Sequence, residues 1–500
     1  MDTLNQTDWD VVISGTGLSQ SLLALALSRS DKKILHLDRN AYYGGNEASF
    51  SLSEAEEWAV QHRSEGSPFG HASVVKAPSV GGQQEDNRLS SSRAYALALA
   101  PQLIYAQCSL IPALVSSGTH NQLEFQAVGS LFVVQPSPNG PRLARVPSAR
   151  EDIFQDTTLD LRTKRSLMRF LRYVASYEKQ DDWQQRKSLA FSQDLSDAFA
   201  LPAASHGPLL ALALGSDAAA DTTMGVAVPR IARHVRSIGV FGPAFGAVLP
   251  KWGGLAEIAQ VACRACAVGG GVYMLGNGIQ AVSQASKEKL AVTLMDESKI
   301  TTKWLIGGID DIPTPARPPQ TEFPMGSSTF KSISIVSSPL SSLFLPTSEG
   351  GVMPAGAIVV VQNGDASSAP VHILIHSGDT GECPSNQCIL YASTVHPDGF
   401  DILDNAIDNF LRSIDEQTIP DVLWKMQFVH HLPDLSGSLY GSGCDQGNLI
   451  VFPSVSTDVV LEDNVMENIK IAWHKITGKG DEMFMKFEPR ETVGVDDEEY

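Results

Sequence analysis

The sequence predicts an α/β protein in which an all-helical domain is inserted into a larger domain that contains β-sheets. Three features of the chain carry this prediction. Residues Asp10 to Gly45 have the order strand, glycine turn, helix, strand; residues 148–239 have mainly helical periodicity; and β-branched runs recur between Ile333 and Thr394. At 500 residues the chain is also too long for one ordinary hydrophobic core, which favours two domains.

The first unit begins with an apolar run, Val11 to Ile13, which leads into Gly15 and Gly17. Apolar residues then recur at helical spacing, and they are Leu18, Leu22, Leu25 and Ala26. A second apolar run, Ile34 to Leu37, ends at Asp38. A βαβ unit with a glycine turn and an acid about twenty residues further on is the layout of a dinucleotide-binding site.

One position departs from the pattern of that site. The third glycine of G-x-G-x-x-G, which lets the helix and the strand pack closely beside the pyrophosphate, is replaced by Gln20. Two alternatives are open, a flavin or nicotinamide site and a tight strand-to-helix turn without cofactor. Because Gln20 favours the second, we predict no bound cofactor and interpret Gly15, Gly17 and Asp38 as remnants, with Asp38 capping or tethering the adjacent loop.

The next elements complete the first part of the larger domain. Ser51 and Glu54 have the spacing of a capping box and predict that a helix begins there. Residues 66–93 lack apolar periodicity and predict a mobile loop, whereas residues 95–115 have helical spacing. Leu123 to Val134 and Leu143 to Val146 predict a hairpin.

The inserted domain and the remainder of the chain follow in order. Helices are predicted through residues 148–239 and again at 253–267, then short strands to Gly308 and a proline-rich connection at 313–324. Four strands, two helices and two further strands complete the sheet domain. We predict a discontinuous first domain of residues 1–147 and 240–490, a helical domain of residues 148–239, and an acidic, disordered tail of residues 491–500.

Composition limits the classes of partner. The net charge of −19 argues against nucleic acid and anionic membranes as partners, and suits a partner with basic surfaces. The six cysteines are scattered, as in reduced intracellular proteins, which predicts a cytoplasmic location. Cys263 and Cys266 form a C-x-x-C on a helix without a second pair, which favours two small core residues over a metal site. We find no catalytic arrangement and predict no metal.

The order of elements resembles the flavoprotein-like architecture, a three-layer FAD/NAD(P)-binding-like domain with a helical insertion. The segments GTGLSQ, LHLDRN and YYGG, together with the block from Glu151 to Glu178 and FGPAFGAVLPKWGGLAEIAQVACRACAVGGGVYML, are similar to the superfamily of Rab GDP-dissociation inhibitors and Rab escort proteins. The resemblance implies a flavin-type fold without flavin, a non-catalytic protein, and GDP-bound Rab GTPases as partners.

Within that superfamily, the resemblance favours the escort branch. Escort proteins also bind the Rab geranylgeranyltransferase heterodimer, through an aromatic residue and an arginine eleven residues further on, and Phe154 and Arg165 occupy those places. An exposed aromatic residue beside a guanidinium is a typical hot spot. The alternatives are a GDP-dissociation inhibitor that recycles prenylated Rabs and, from another class, a flavin-dependent oxidoreductase. An ordinary core role for Phe154 and a solvated role for Arg165 also stay open.

The resemblance implies two more sites. A platform for the GTPase is expected to include Tyr43, and the arginines Arg230, Arg233 and Arg236, which share one helix face, are assigned to it by a looser match. The geranylgeranyl lipid is expected in the helical domain. Its candidate lining residues are Leu167, Phe170, Leu171 and Val174. Contact with membranes is then expected to be transient and to depend on the lipid of the partner.

Overall fold

The structure, a computed structural model, describes residues 7–77, 88–135, 140–147, 153–154, 159–241, 246–313, 316, 328–346, 351–362, 365–416, 418–432 and 448–487. Its first sheet is built around the strand that leads into the glycine turn. The strands of this sheet are β1 (Asp8–Ser14), β2 (Ile34–Asp38), β10 (Val272–Leu275), β11 (Ile279–Ser286), β12 (Lys289–Leu294), β13 (Lys299–Gly308) and β19 (Leu449–Phe452).

The second sheet is larger and mainly antiparallel. Its strands are β4 (Phe69–Lys76), β6 (Ile104–Tyr105), β7 (Phe125–Gln135), β8 (Arg142–Arg145), β9 (Ala247–Pro250), β14 (Ser328–Val336), β15 (Gly356–Val361), β16 (Val371–Ser377), β17 (Cys388–Thr394) and β18 (Val422–His431). Strand β15 pairs in parallel with β7, so the β-branched runs form a mixed sheet with strands from the first 150 residues. A separate pair joins β3 (Ser49–Phe50) to β5 (Leu97–Ala98).

Helices cover both sheets and form the insertion. They are α1 (Leu18–Leu27), α2 (Leu52–Gln61), α3 (Leu110–Ser116), α4 (Leu161–Ala175), α5 (Trp183–Arg186), α6 (Phe191–Asp197), α7 (His206–Ala211), α8 (Met224–Ser237), α9 (Leu255–Val268), α10 (Gly399–Ser413) and α11 (Asn464–Thr477). The capping box predicted at the beginning of α2 is present, with Ser51 and Glu54 hydrogen-bonded to each other.

Helix α1 is the central layer between the first sheet and two other helices. Every residue of α1 is buried because the helix lies between β1 on one side and α9 and α11 on the other. The indole Nε1 of Trp473 in α11 donates a hydrogen bond to the carbonyl of Ala26 at 3.2 Å. The terminal helix thus returns to the first unit. The flavoprotein-like α/β architecture with a helical insertion is confirmed.

Two predictions about local structure are wrong. Phe69–Lys76, within the predicted loop 66–93, is strand β4, which pairs with β18 at the edge of the second sheet. Residues 95–115 are mostly not helical, because the short strands β5 and β6 pair with β3 and β9 and only α3 forms a helix. Residues 78–87, most of the connection 313–324, and the tail 491–500 lie outside the described residues.

Candidate functional site

The glycine turn is tied to the loop that follows β2 by a buried aspartate. The backbone N–H and the hydroxyl of Thr16 donate to Oδ2 of Asp38 at 2.7 and 2.6 Å. The other oxygen of Asp38 accepts from the N–H of Asn40 at 2.8 Å. The N–H of Gly44 in turn donates to the Thr16 hydroxyl oxygen at 3.0 Å. Asp38 therefore fixes both the turn and the loop 40–44.

A second acid lies at the beginning of helix α1. Glu47 is 5% exposed, and its Oε2 accepts a hydrogen bond from the N–H of Leu18, in the first turn of the helix, at 2.9 Å. The first N–H groups of a helix lack partners within the helix, and the helix dipole favours an anion there. Burial nevertheless raises the pKa of Glu47 to about 7, because desolvation penalises its charged form.

A third acid covers the other side of the turn. Gly15 has φ = +88°, and a Cβ atom at this position would overlap the carboxylate of Asp311. Nε2 of Gln20 donates to Oδ2 of Asp311 at 3.0 Å. Burial, and after it the nearby charge of Asp38, raises the pKa of Asp311 to about 8. Gln20, which replaces the third glycine of the pattern, thus has a partner inside the protein.

These residues do not fit a dinucleotide cofactor. The pyrophosphate of such a cofactor lies against the glycine turn and the N–H groups that begin the helix. Here Glu47 already accepts from Leu18, and Asp311 lies directly on Gly15. Both side chains therefore occupy positions against the turn that the pyrophosphate would need.

Tyr43 lies at the surface of the loop held by these contacts. It is partly buried, and its ring centroid is 6.3 Å from that of Tyr273 in β10, an edge strand of the first sheet. Gly44 packs against Ala256 at the beginning of α9. We name the loop 40–44, which carries Tyr43, the Tyr43 surface. Sequence reasoning missed Glu47 and Asp311, the acids that contact the glycine turn beside this loop.

Arg230, in the arginine stripe of α8, joins the helical domain to the segment before α11. Its Nη2 is 2.9 Å from Oδ2 of Asp458 and 3.7 Å from Oε1 of Glu462. The other oxygen of Asp458 accepts from the Ser216 hydroxyl at 2.6 Å. Arg230 therefore belongs to an ion-pair network between two parts of this chain.

The other two arginines of the stripe also contact groups of this chain. Arg233 donates to the carbonyl of Gln107 and lies 3.5 Å from Asp463. Arg236 forms a two-pronged ion pair with Glu178 at 2.8 and 2.5 Å. The three side chains share one face, as the spacing predicts, and that face is turned toward carboxylates of the same protein. Their role in binding a GTPase stays a prediction.

Phe154 and Arg165 lie at the surface near the beginning of α4. Phe154 is 56% exposed, and Arg165 is exposed one turn into the helix. Asp160 caps α4 by accepting from the N–H of Thr163 at 2.7 Å, and Lys164 donates to the carbonyl of Phe154 at 3.0 Å. Most of the polar residues around Phe154, at 151–152 and 155–158, lie outside the described residues.

The four candidate lipid-lining residues lie on the buried face of α4, and they are Leu167, Phe170, Leu171 and Val174. They pack into the core of the helical domain, where Phe170 contacts Phe191 and Phe199 edge-on. A cavity of about 260 Å³ lies elsewhere, between α7 and strands β15 and β16, and the four residues do not line it. Opening a lipid site at α4 would require these side chains to move.

The remaining features concern the cysteines of α9, metal-binding groups and membrane-spanning helices. Cys263 and Cys266 are buried in α9, and burial raises the pKa of each thiol to about 11, which keeps both protonated. Within the described ranges, no three His, Cys, Asp or Glu side chains are grouped so that they could hold a metal ion. In the same ranges, no helix has the length and apolar character needed to cross a membrane.

Comparison with known proteins places the chain. The family model described as GDI, GDP dissociation inhibitor, matches residues 4–342. The chain is 29% identical over 393 residues to a Saccharomyces cerevisiae protein named Rab proteins geranylgeranyltransferase component A, a match that covers 77% of this chain and 61% of the relative. It is 27% identical over 282 residues to a probable secretory pathway GDP dissociation inhibitor 1 of Schizosaccharomyces pombe, covering 55% and 58%. The chain thus spans about three fifths of the length of these relatives.

Solved structures give the same fold. A Rab GDI from Plasmodium falciparum superposes with a TM-score of 0.68 at 21% identity, and the match covers 95% of this chain and 99% of the other. An oxidoreductase from Methanosarcina mazei superposes with a TM-score of 0.58 at 12% identity, covering 94% and 100%. At these identities the likeness extends to the fold alone.

Proposed function

The chain belongs to the GDP dissociation inhibitor family, and from that premise we propose that it is a Rab escort protein. It binds GDP-bound Rab GTPases before they are prenylated, presents them to Rab geranylgeranyltransferase, and shields the attached lipid until the product reaches a membrane. Relatives at 25–29% identity that are named component A of that transferase support this assignment.

The observation that carries the escort assignment is the exposed aromatic side chain of Phe154. Large apolar side chains are normally buried, and an exposed one suits a pocket on a protein partner. Arg165, exposed on α4, supplies a guanidinium that can pair with a carboxylate of the transferase. An inhibitor that never meets the transferase has no use for this pair.

For the GTPase, we propose that the Tyr43 surface is the contact. Tyr43 offers a partner an aromatic ring with a polar tip. The net charge of −19 favours approach of a basic partner. Arg230, Arg233 and Arg236 are kept in the proposal as a second contact, on condition that a GTPase displaces their present partners.

Shielding is needed because a prenyl group is strongly apolar. Exposing it to water costs about 0.8 kcal/mol per methylene-sized unit, so a protein that carries twenty-carbon chains does not stay soluble without a carrier. We assign the lipid to the helical domain, with Leu167, Phe170, Leu171 and Val174 as its lining after α4 moves. Contact with membranes is then transient and follows the cargo, and the protein otherwise stays in the cytoplasm.

In this proposal the chain is an accessory component and not an enzyme. Its contribution is to bind and orient the GTPase, and the bond to the lipid is made in the transferase. No catalytic residue, metal or cofactor is assigned to the chain.

The second candidate function is that of a GDP-dissociation inhibitor, which recycles Rabs that are already prenylated. Two findings favour it, namely the family model itself and the 27% identity to a probable GDP dissociation inhibitor of Schizosaccharomyces pombe. Both functions would use the Tyr43 surface, so only the transferase contact separates them.

A reconstituted prenylation assay tests the proposal. The chain is mixed with the transferase heterodimer, geranylgeranyl diphosphate and an unmodified, GDP-bound Rab, and lipid transfer is measured by mass. An escort protein supports transfer. An inhibitor gives none but extracts the prenylated Rab from vesicles. If instead the purified chain absorbs in the flavin bands, or does so after incubation with FAD, the oxidoreductase alternative replaces both.

A further inference from the structure

The loop that carries Tyr43 is anchored to the glycine turn at three points. Near its beginning Asn40 donates to Asp38, at its middle Gly44 donates to Thr16, and at its end Glu47 accepts from Leu18. Between the last two anchors, Gly44 and Gly45 have φ values of +97° and +51°, so the backbone folds back tightly onto the turn. Tyr43 lies between the first two anchors, and removing the third would leave the glycine pair that ends the loop without the Glu47 contact to helix α1.

The last anchor uses the place where a dinucleotide enzyme binds phosphate. The N–H of Leu18 begins helix α1 directly after the glycine turn, and such a group binds an anion. The anion here is a carboxylate of the protein itself. Glu47 is held so close that a Cβ atom on Gly17 would lie 3.0 Å from its Oε2.

A buried carboxylate is costly, and its presence calls for a compensating role. An apolar residue at position 47 would avoid the desolvation of a charge but would leave the Leu18 N–H without its partner. The neighbouring Asp311 closes the other half of the site over Gly15, and Arg39 joins the loop to the same segment by donating to the carbonyl of Asp310 at 3.0 Å. The chain thus contacts the turn from both sides, and a cleft of about 40 Å³ remains between these contacts.

We propose that Glu47 is a positioning residue: its carboxylate takes the place of a cofactor phosphate at the beginning of α1 and holds the Tyr43 loop in the shape that a Rab GTPase recognises. This inference rests on the proposed function. It explains why a glycine turn occurs in a protein whose turn does not fit a dinucleotide, because the N–H groups of Thr16 and Leu18 bind Asp38 and Glu47 at either end of the loop.

The test compares Glu47→Ala with Glu47→Gln and with Glu57→Ala, which removes an exposed acid of α2. Affinity for a GDP-bound Rab is measured by calorimetry, and hydrogen–deuterium exchange is followed in residues 39–48. We expect Glu47→Ala to weaken binding about 10- to 100-fold and to speed exchange in the loop. Glu47→Gln, whose amide oxygen still accepts from Leu18, should keep most of the affinity, and Glu57→Ala should match the wild type.

Rescue by formate distinguishes a specific role of the Glu47 carboxylate from a general loss of structure in the variant. In the space left by Glu47→Ala, formate can accept from the Leu18 N–H, so we expect it to restore binding and slow exchange in that variant and to have no effect on Tyr43→Ala. Unchanged affinity and exchange in Glu47→Ala overturns the inference, and so does a loss that neither formate nor the Gln variant relieves.

Failure of the proposed function is distinguishable from failure of this inference. If the wild-type chain binds no Rab, the proposed function is overturned. The proposal that a GTPase recognises this loop is then overturned as well. The exchange measurement needs no Rab, and it still decides whether Glu47 holds the loop.

Discussion

Two sets of residues are linked to partners by the same resemblance, but their surroundings in the structure differ. The first set is Phe154 and Arg165, and the second is the stripe Arg230, Arg233 and Arg236. Phe154 and Arg165 lie on the surface at the beginning of α4. Each arginine of the stripe has a carboxylate of this chain within 3.5 Å. The difference shows that charge and spacing identify a shared face, whereas only the fold shows whether that face already has a partner.

The largest expected effect follows from removing the exposed aromatic side chain. Phe154→Ala should weaken binding to the transferase heterodimer at least about 30-fold, the scale of a central hot-spot residue. Binding to a GDP-bound Rab and the melting temperature should change little, because Phe154 is 56% exposed in the free protein. Calorimetry with each partner measures both affinities.

Leu189→Ala is the matched control for that variant. Leu189 is another exposed apolar residue of the helical domain, at 45%, and it lies between α5 and α6, away from the beginning of α4. It should assemble with the transferase as the wild type does. Equal assembly by Phe154→Ala and the wild type would remove Phe154 from the interface and, with it, the contrast between the two sets of residues.

A medium effect is expected at the ion-pair network between domains. Asp458→Ala should lower the free energy of unfolding by about 1–2 kcal/mol, because Arg230 and the Ser216 hydroxyl both lose a charged acceptor. Arg230→Ala should cost a similar amount, and the double variant little more than either single one, since the groups act as a pair. Urea unfolding of the four proteins measures this coupling.

The same variants decide whether Arg230 also binds the GTPase. If its role is internal, Arg230→Ala and Asp458→Ala should alter Rab affinity equally. A much larger loss in Arg230→Ala than in Asp458→Ala would show that the guanidinium leaves Asp458 to contact the partner, and it would place the stripe with Phe154 among the recognition residues.

Much of the fold could be predicted because local periodicity and packing agree. The spacing of Leu18, Leu22 and Leu25 predicts α1, and the capping box at Ser51 predicts α2. The prediction fails for residues 95–105, where apolar residues at helical spacing form strands instead. Those strands pair with Ser49–Phe50 and Ala247–Val248, which are distant in sequence, so tertiary pairing overrides the local pattern.

The candidate site could likewise be predicted only in part, because its contacts join residues that are distant in the sequence. The sequence points to the glycine turn and to the loss of the third glycine at Gln20, but Asp311 lies 291 residues from Gln20 in the chain. Similarly, Arg230 and Asp458 are separated by 228 residues. The sequence around a charged residue does not indicate which distant residue will pair with it. The ion pairs of the arginines and the contacts of Asp311 with Gly15 and Gln20 are therefore visible only in the fold.

The smallest effect is expected at Arg236, where the ion pair is intact but solvated. Arg236→Ala should lower the free energy of unfolding by roughly 0.5 kcal/mol at pH 7, since exposed pairs contribute little. Hydrogen bonds from Arg236 hold the pKa of Glu178 below its usual value. For an acid with a lowered pKa in the folded state, the stabilisation is present above the unfolded-state pKa of about 4.3 and is lost as the pH falls through the folded value.

The difference between Arg236→Ala and the wild type should therefore shrink as the pH falls below the unfolded-state pKa of about 4.3, and also in 1 M salt. Thermal unfolding at pH 7 and pH 3 measures it, with Arg172→Ala, at an exposed position of α4, as the control. A loss of several kcal/mol that persists at low pH would mean that Arg236 is held mainly by its hydrogen bonds to the carbonyl of Ala175, at 3.2 and 3.1 Å. The stripe would then be part of the packing between α8 and α4, and not a row of ion pairs that a GTPase could displace.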